Sequence, residues 1–183
     1  EKLGVKKGEN TGFTQDIDFT GGTFYIGART DDGSDFTTYS NIISIDEFRV
    51  SKGIARWTDD FTPPSQPYSK IDDDYHAAEE KTITKEVSTT PDSFTKLLIH
   101  SDTTDGSTAF IDSSASSHTI AANGNSHHET DQKKFGSTSM QHDGTGDYLS
   151  IADSTDWQFG TGNFTIDFWA KLSTAATTAS AVG

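Results

Sequence analysis

Apolar and polar residues alternate along this chain with the period of strands rather than of helices. In "TFYIGAR" (23–29), Phe24, Ile26 and Ala28 alternate with Tyr25 and Gly27, the period-2 mark of a half-buried strand. "NIISIDEFRVS" (41–51) predicts the next strand, and it runs into a basic-aromatic turn at Arg56-Trp57 and a stop at Pro63-Pro64. "KLLIH" (96–100), "HTIAANG" (118–124), "STSMQHDG" (137–144) and "DYLSIAD" (147–153) predict four more strands. The clearest is "NFTIDFWAKLS" (163–173): Phe164, Ile166, Phe168, Ala170 and Leu172 share one face, and Thr165, Asp167, Trp169 and Lys171 share the other. Gly/Asp/Ser/Asn turns separate these strands at spacings of about 8–12 residues, the pattern of an antiparallel β-sandwich. No amphipathic helix longer than two turns is predicted.

The remaining stretches read as connections. Residues 1–22 are weakly patterned, and "KLGVKKGENTG" suggests a hairpin or loop. "TDDGSD" (30–35) is a turn by its Asp-Gly chemistry. From Gln66 to about Thr95, charges of both signs and few apolar residues predict a connecting segment with at most a turn of helix around "HAAEEK". The Asp72–Asp74 run within it reads as solvated surface.

Composition narrows the partners. The hydrophobic fraction is only 31 %, but 11 % of residues are aromatic, so Phe, Tyr and Trp must supply much of the core area. A net charge of −14 repels phosphate backbones and argues against nucleic acid as a partner. Its plainest meaning is solubility, and its sharper one is carboxylate loops for Ca²⁺. The absence of cysteine excludes disulfides, thiol catalysis and cysteine-based zinc sites. No apolar run approaches the ~18 residues that a spanning helix needs, so membrane insertion is not expected. With no secretory leader pattern and Glu1 in place of Met, the expectation is a processed chain or a piece of a longer one.

Candidate chemistry is sparse. Asp46-Glu47 are adjacent in a strand and so are expected on opposite sheet faces, Asp167 stands alone, and neither gives a facing carboxylate pair. There is no G-x-S-x-G elbow and no glycine-rich loop opening a helix, so an enzyme is not expected. Asp46, Asp102, Asp105, Asp143 and Asp147 lie in or beside loops, where oxygen ligands suit Ca²⁺; Asx turns are the competing role. His118, His127 and His128 are transition-metal candidates, but adjacent His127 and His128 do not easily chelate together and are expected in an exposed loop. Trp57, Trp157 and Trp169, with Tyr25, are candidates for a sugar-stacking platform. Trp57 is expected to pack the closing turn, with Arg56 against an aromatic or the Asp59-Asp60 pair, and Trp157 to plug the end of the sandwich. Trp169, opposite the phenylalanine stripe, is therefore the main ligand candidate. "NFT" (163–165) matches a glycosylation acceptor but opens a strand and reads as structural.

Two stretches together resemble a known family. "LLIHSDTTDGSTAFIDSSASSHTIAANGN" and "KKFGSTSMQHDGTGDYLSIADSTDWQFGTGNFTIDFWAKL" are similar to the opening half of laminin-G-like, concanavalin A-like jelly rolls. "GGTFYIGAR…ISIDEFRVSKGIARWTDDFTPPSQPY" resembles the closing half of the same fold. The closing half comes first, and the middle of the family's pattern is missing. The resemblance thus implies incomplete halves of two tandem modules: residues 1–68 as the C-terminal part of one, 69–95 as an acidic linker, and 96–183 as the N-terminal part of the next. A permuted subunit completed by its neighbours through strand complementation is the rival organisation. The family hosts both glycan hydrolases and glycan-binding modules. With no catalytic pair, the resemblance implies a non-catalytic extracellular or virion-surface protein, similar to phage tail fibres, that presents such modules to glycans or host-surface polysaccharide and associates with itself or neighbouring structural proteins. Trp169 and Tyr25 are the expected ligand contacts. Asp46, Asp102 and Asp105 are the expected metal ligands, a structural calcium near Asp46 and Asp102 being what the resemblance implies. A purely structural filament or shell subunit, and an accessory module of a secreted glycan hydrolase, are the alternatives.

Overall fold

The computed structural model describes residues 22–27, 42–58, 60–68 and 92–173, together with the backbone of residues 17–18. The expected turn at 30–35, the "KLGVKKGENTG" stretch and the "HAAEEK" segment lie outside them. Among the described residues ten strands appear: β1 (Ile17–Asp18), β2 (Phe24–Ile26), β3 (Ile43–Lys52), β4 (Thr95–Ile99), β5 (Ile120–Asn123), β6 (His127–Glu129), β7 (Ser139–His142), β8 (Tyr148–Ile151), β9 (Gln158–Gly160) and β10 (Phe164–Leu172). The helical content of the described residues is one 3₁₀ turn, Thr155–Trp157, capped by the Ser154 side chain. The protein is all-β, and every strand pairing among the described residues is antiparallel.

All seven strands expected from alternation are present. β6 was not expected: "HHE" offers no apolar alternation, yet it pairs with β7 in register His128↔Met140. The expected exposed loop at His127-His128 is therefore wrong. His128 is buried, with its ring stacked 4.2 Å from that of Phe110, Nδ1 2.8 Å from Ser101 Oγ and Nε2 3.1 Å from the Ala109 carbonyl. Partners for both ring nitrogens make an inward imidazole tolerable.

β3 organises the larger, five-stranded sheet. One of its edges pairs with β10 along its length, while the other is shared, Ile43–Ile45 with β7 and Phe48–Ser51 with β4. Strands from the segment read as a module's closing part are thus hydrogen-bonded to strands from the segment read as an opening part. A smaller sheet, in the order β2-β8-β5, faces this one across a shared core. Phe24, Leu149 and Ile151 from the smaller sheet meet Phe48, Val50, Leu97 and Met140 from the larger. Trp157 lies within that core, fully buried, stacked 4.7 Å from Phe24, with its Nε1 donating to the Ala152 carbonyl. Burying side chains of this size is the main favourable term holding the sheets together, about 1.5–3 kcal/mol each.

Two features of β3 and β10 depart from simple alternation. In β3, Ile45 and Phe48 both enter the core although they are three residues apart. The ladder with β10 shows how: Asp167 pairs with Arg49 and Trp169 with Asp46, so Glu47 and Phe48 together oppose Phe168. This is a β-bulge, and Glu47 takes φ 52° to make it. The expectation that Asp46 and Glu47 point to opposite faces is corrected accordingly, since the bulge leaves both carboxylates on the outer face. In β10, the apolar stripe continues the core face of β3, with Phe168 stacked 5.5 Å from Phe48. Among the described residues β10 is an edge strand, however, and Ile166, Phe168 and Leu172 remain exposed, Phe168 by 46 %.

Candidate binding site

The outer face of the larger sheet is a second, polar interior. Ser44, Asp46, Glu47, Arg49 and Ser51 all point away from the core, yet all are buried. Residues 60–68 and the loop before β7 supply much of the cover. Tyr68 lays its ring under the Arg49 guanidinium, 4.0 Å from its centroid, and donates its backbone N–H to Glu47 Oε2 at 2.7 Å. Arg49 also holds Asp167 of β10 through two bonds, 3.0 Å and 2.6 Å, a bidentate geometry that fixes both side chains. Burial, and next the Asp167 carboxylate, push the Tyr68 hydroxyl well above its ordinary pKa. Glu47 is closed off from the other side by His100, whose Nδ1 lies 3.0 Å from both carboxylate oxygens.

Beside this network, a cavity of about 170 Å³ opens between Asp46 of β3, Trp169 of β10 and the Gln132–Lys134 loop. Its floor is fixed by Asp46. Oδ2 accepts the backbone N–H groups of Lys134 (2.7 Å) and Phe135 (2.9 Å), and Oδ1 accepts that of Glu47 (2.9 Å). Burial raises the Asp46 pKa above its ordinary value, the Glu47 charge adds to this, and the three N–H groups oppose it. The loop so anchored places Lys134 Nζ 4.2 Å from the centroid of the Trp169 ring, and Phe135 meets that ring edge-on at 6.1 Å. Trp169 Nε1 is buried, and among the described residues it has no hydrogen-bond partner. A buried indole N–H normally has one, so this is an unmet donor on a residue that lines the cavity. A cavity of about 150 Å³ holds one benzene-sized ring, so this one is on the scale of a single six-membered ring.

The expected site residues do not converge. Tyr25 lies on the solvent face of the smaller sheet, edge-on to Tyr148 at 5.6 Å, whereas Trp169 lies on the outer face of the larger one. Asp102 accepts the Ser137 backbone N–H at 2.8 Å, and the Ser137 side-chain and backbone bonds lower its pKa. Asp105 Oδ1 is 3.3 Å from the Thr130 N–H. Asp147 receives the N–H groups of Asn125 and Asp143, and Asp143 that of Thr145. Among the described residues no group of three or more His, Asp or Glu side chains could hold a metal ion. Backbone N–H groups engage both oxygens of Asp46, whereas Asp102 is engaged at Oδ1 by Ser137.

Trp57 stacks on Phe61 at 4.2 Å within the closing turn. Arg56 pairs with Asp92 and bonds Ser51 and Thr95; Asp59 of the expected Asp59-Asp60 partner pair lies outside the described residues. Arg56 thereby clamps the end of β3 to the start of β4. Thr165 of the "NFT" stretch accepts the Arg56 N–H and donates to the Ile54 carbonyl.

Three partners of the cavity carried no signal in the sequence: the Gln132–Lys134 loop, Ser139 and Ser44. Among the described residues no helix is long and apolar enough to cross a membrane. Comparison with protein-family models, curated proteins and solved structures gives no match to this chain.

Proposed function

We propose that this chain is a non-catalytic glycan-binding protein of an extracellular or virion surface, built on a jelly-roll, concanavalin A-like plan. The observation that carries the reading is Trp169, which lines a ring-sized cavity and whose N–H is unpartnered among the described residues. An aromatic wall with one directed donor suits the apolar face and hydroxyl edge of a pyranose. Catalysis forms no part of the proposal. Glu47 is held by Tyr68 and His100, and Asp46 by three backbone N–H groups, which supports a structural role for both carboxylates. Residues 1–68 and 96–183, read as the closing and opening parts of two tandem modules, complement one another's edges through β3, β4, β7 and β10.

A glycan array probed with the wild-type protein and Trp169→Ala tests the reading. Binding that is lost in the variant supports it, and silence on every glycan would sink it.

A second reading, a filament or shell subunit that assembles by strand complementation, is favoured by β10, which has one edge unpaired among the described residues and exposed Ile166, Phe168 and Leu172. Light scattering across a hundredfold concentration range separates the two, since a strict monomer at all concentrations excludes assembly through that edge.

A further inference from the structure

Cations ring the Trp169 cavity in a chain that is otherwise strongly acidic. Lys133, Lys134 and Lys171 all line it, drawn from 14 Lys and Arg against 28 Asp and Glu in the whole sequence. None of the three ammonium groups is paired with a carboxylate of the described residues. Lys133 Nζ donates to the Thr130 carbonyl at 3.0 Å, Lys171 Nζ to Gln132 Oε1, and Lys134 Nζ stands over the Trp169 ring. The acidic group in the wall, Asp46, is covered by three backbone N–H donors, which draw off much of its repulsion toward an incoming anion.

We propose that the ring this cavity accepts bears a carboxylate, as a uronic acid unit of an acidic polysaccharide does. The inference rests on the glycan reading of the cavity and narrows it. A neutral sugar would use the aromatic wall and the Nε1 donor but leave three ammonium groups without a counter-charge. A uronate uses all of them, its ring against Trp169 and its carboxylate among the lysines, in a partly enclosed site where charge attraction is screened less than at an open surface.

The test is calorimetric titration of the full chain with tri-galacturonate and tri-mannuronate, each against its methyl ester, which keeps the rings and hydroxyls and removes the charge. One acid form is expected to bind at least about tenfold more tightly than its ester, with the gap narrowing as salt rises. Lys133→Gln and Lys171→Gln each reduce that gap. Trp169→Phe, which keeps a ring and the fold but lacks the N–H, weakens acid and ester alike. Equal binding of acid and ester, both weakened in Trp169→Phe, overturns the carboxylate inference and leaves the glycan reading standing. Acid binding that is indifferent to Trp169→Phe and vanishes in salt shows diffuse attraction to lysines and overturns it too. No binding of any uronide, in a protein that binds other sugars on the array, overturns this inference alone; silence in both experiments overturns both.

Discussion

Asp46→Ala is the most telling perturbation of the scaffold, because one buried carboxylate joins β3 to a loop almost ninety positions away in sequence. The change strips the acceptor from three backbone N–H groups at 2.7–2.9 Å. A hydrogen bond to a charged group contributes about 1.5–3 kcal/mol, and a buried donor left unmatched costs about 1–3 kcal/mol. Lys134 is exposed and Phe135 half-exposed, so their N–H groups can turn to water, whereas that of Glu47 stays sealed in the bulge. Relief of the burial that raises the Asp46 pKa returns part of the loss. Weighing these, the expected destabilisation is about 2–4 kcal/mol, read by urea denaturation at pH 7 against the wild type with an unchanged m-value. Asp46→Asn keeps one acceptor oxygen and should fall between the two. A loss below about 0.5 kcal/mol in Asp46→Ala, the level of ordinary surface substitutions, would refute the anchoring role.

Other consequences are open to the same kind of measurement. Burial lowers the pKa of both His128 and His142 from 6.5, so the unfolded chain takes up protons first as pH falls. Their stabilising contribution is complete above pH 6.5 and is lost below it, while Asp46, with its raised pKa, acts in the opposite sense nearer 3.8. The melting midpoint should therefore drop between pH 7 and 5.5, and a flat profile there would contradict these burial assignments. Phe48→Ala opens a core cavity and should cost about 4 kcal/mol, against about 1–2 kcal/mol for the half-exposed Phe168→Ala; equal losses would mean that something covers the β10 face. Because N–H donors engage the candidate aspartates, EDTA should leave the melting midpoint unmoved. A midpoint that rises with added Ca²⁺ would instead reveal a site bound in the folded state.

Much of the strand layout was legible because one apolar face per strand imposes a period of two, as in Phe24-Tyr25-Ile26 and along β10. Alternation fails where polar residues are buried with partners of their own. "HHE" looked like a loop because nothing local announces that His128 will rest on Phe110 and bond Ser101 and Ala109. The bulge at Glu47 was equally invisible, since a glutamate at φ 52° carries none of the glycine or asparagine chemistry that signals a positive φ. That single residue decides which side both carboxylates occupy. Trp169 could be singled out from its place opposite the phenylalanine stripe, but its cavity could not. The loop that walls it is held by bonds between Asp46 and residues 134–135, and pairings of such separation leave no mark on the sequence near either end. Tyr25, adjacent to Trp169 only in residue type, sits on the other sheet because β2 pairs with β8.

The account stands or falls on whether the Trp169 indole N–H meets a ligand. In a ¹H–¹⁵N spectrum of the labelled full chain, Trp57, Trp157 and Trp169 each give an indole resonance, assigned by Trp→Phe substitution. Titration with a sugar that scores on the array should shift the Trp169 signal. That of Trp157, already bonded to the Ala152 carbonyl in the core, should stay in place. A saturable shift confined to Trp169 is the predicted result. An unmoved Trp169 resonance at ligand concentrations that saturate binding by calorimetry would place the sugar elsewhere and contradict the central claim.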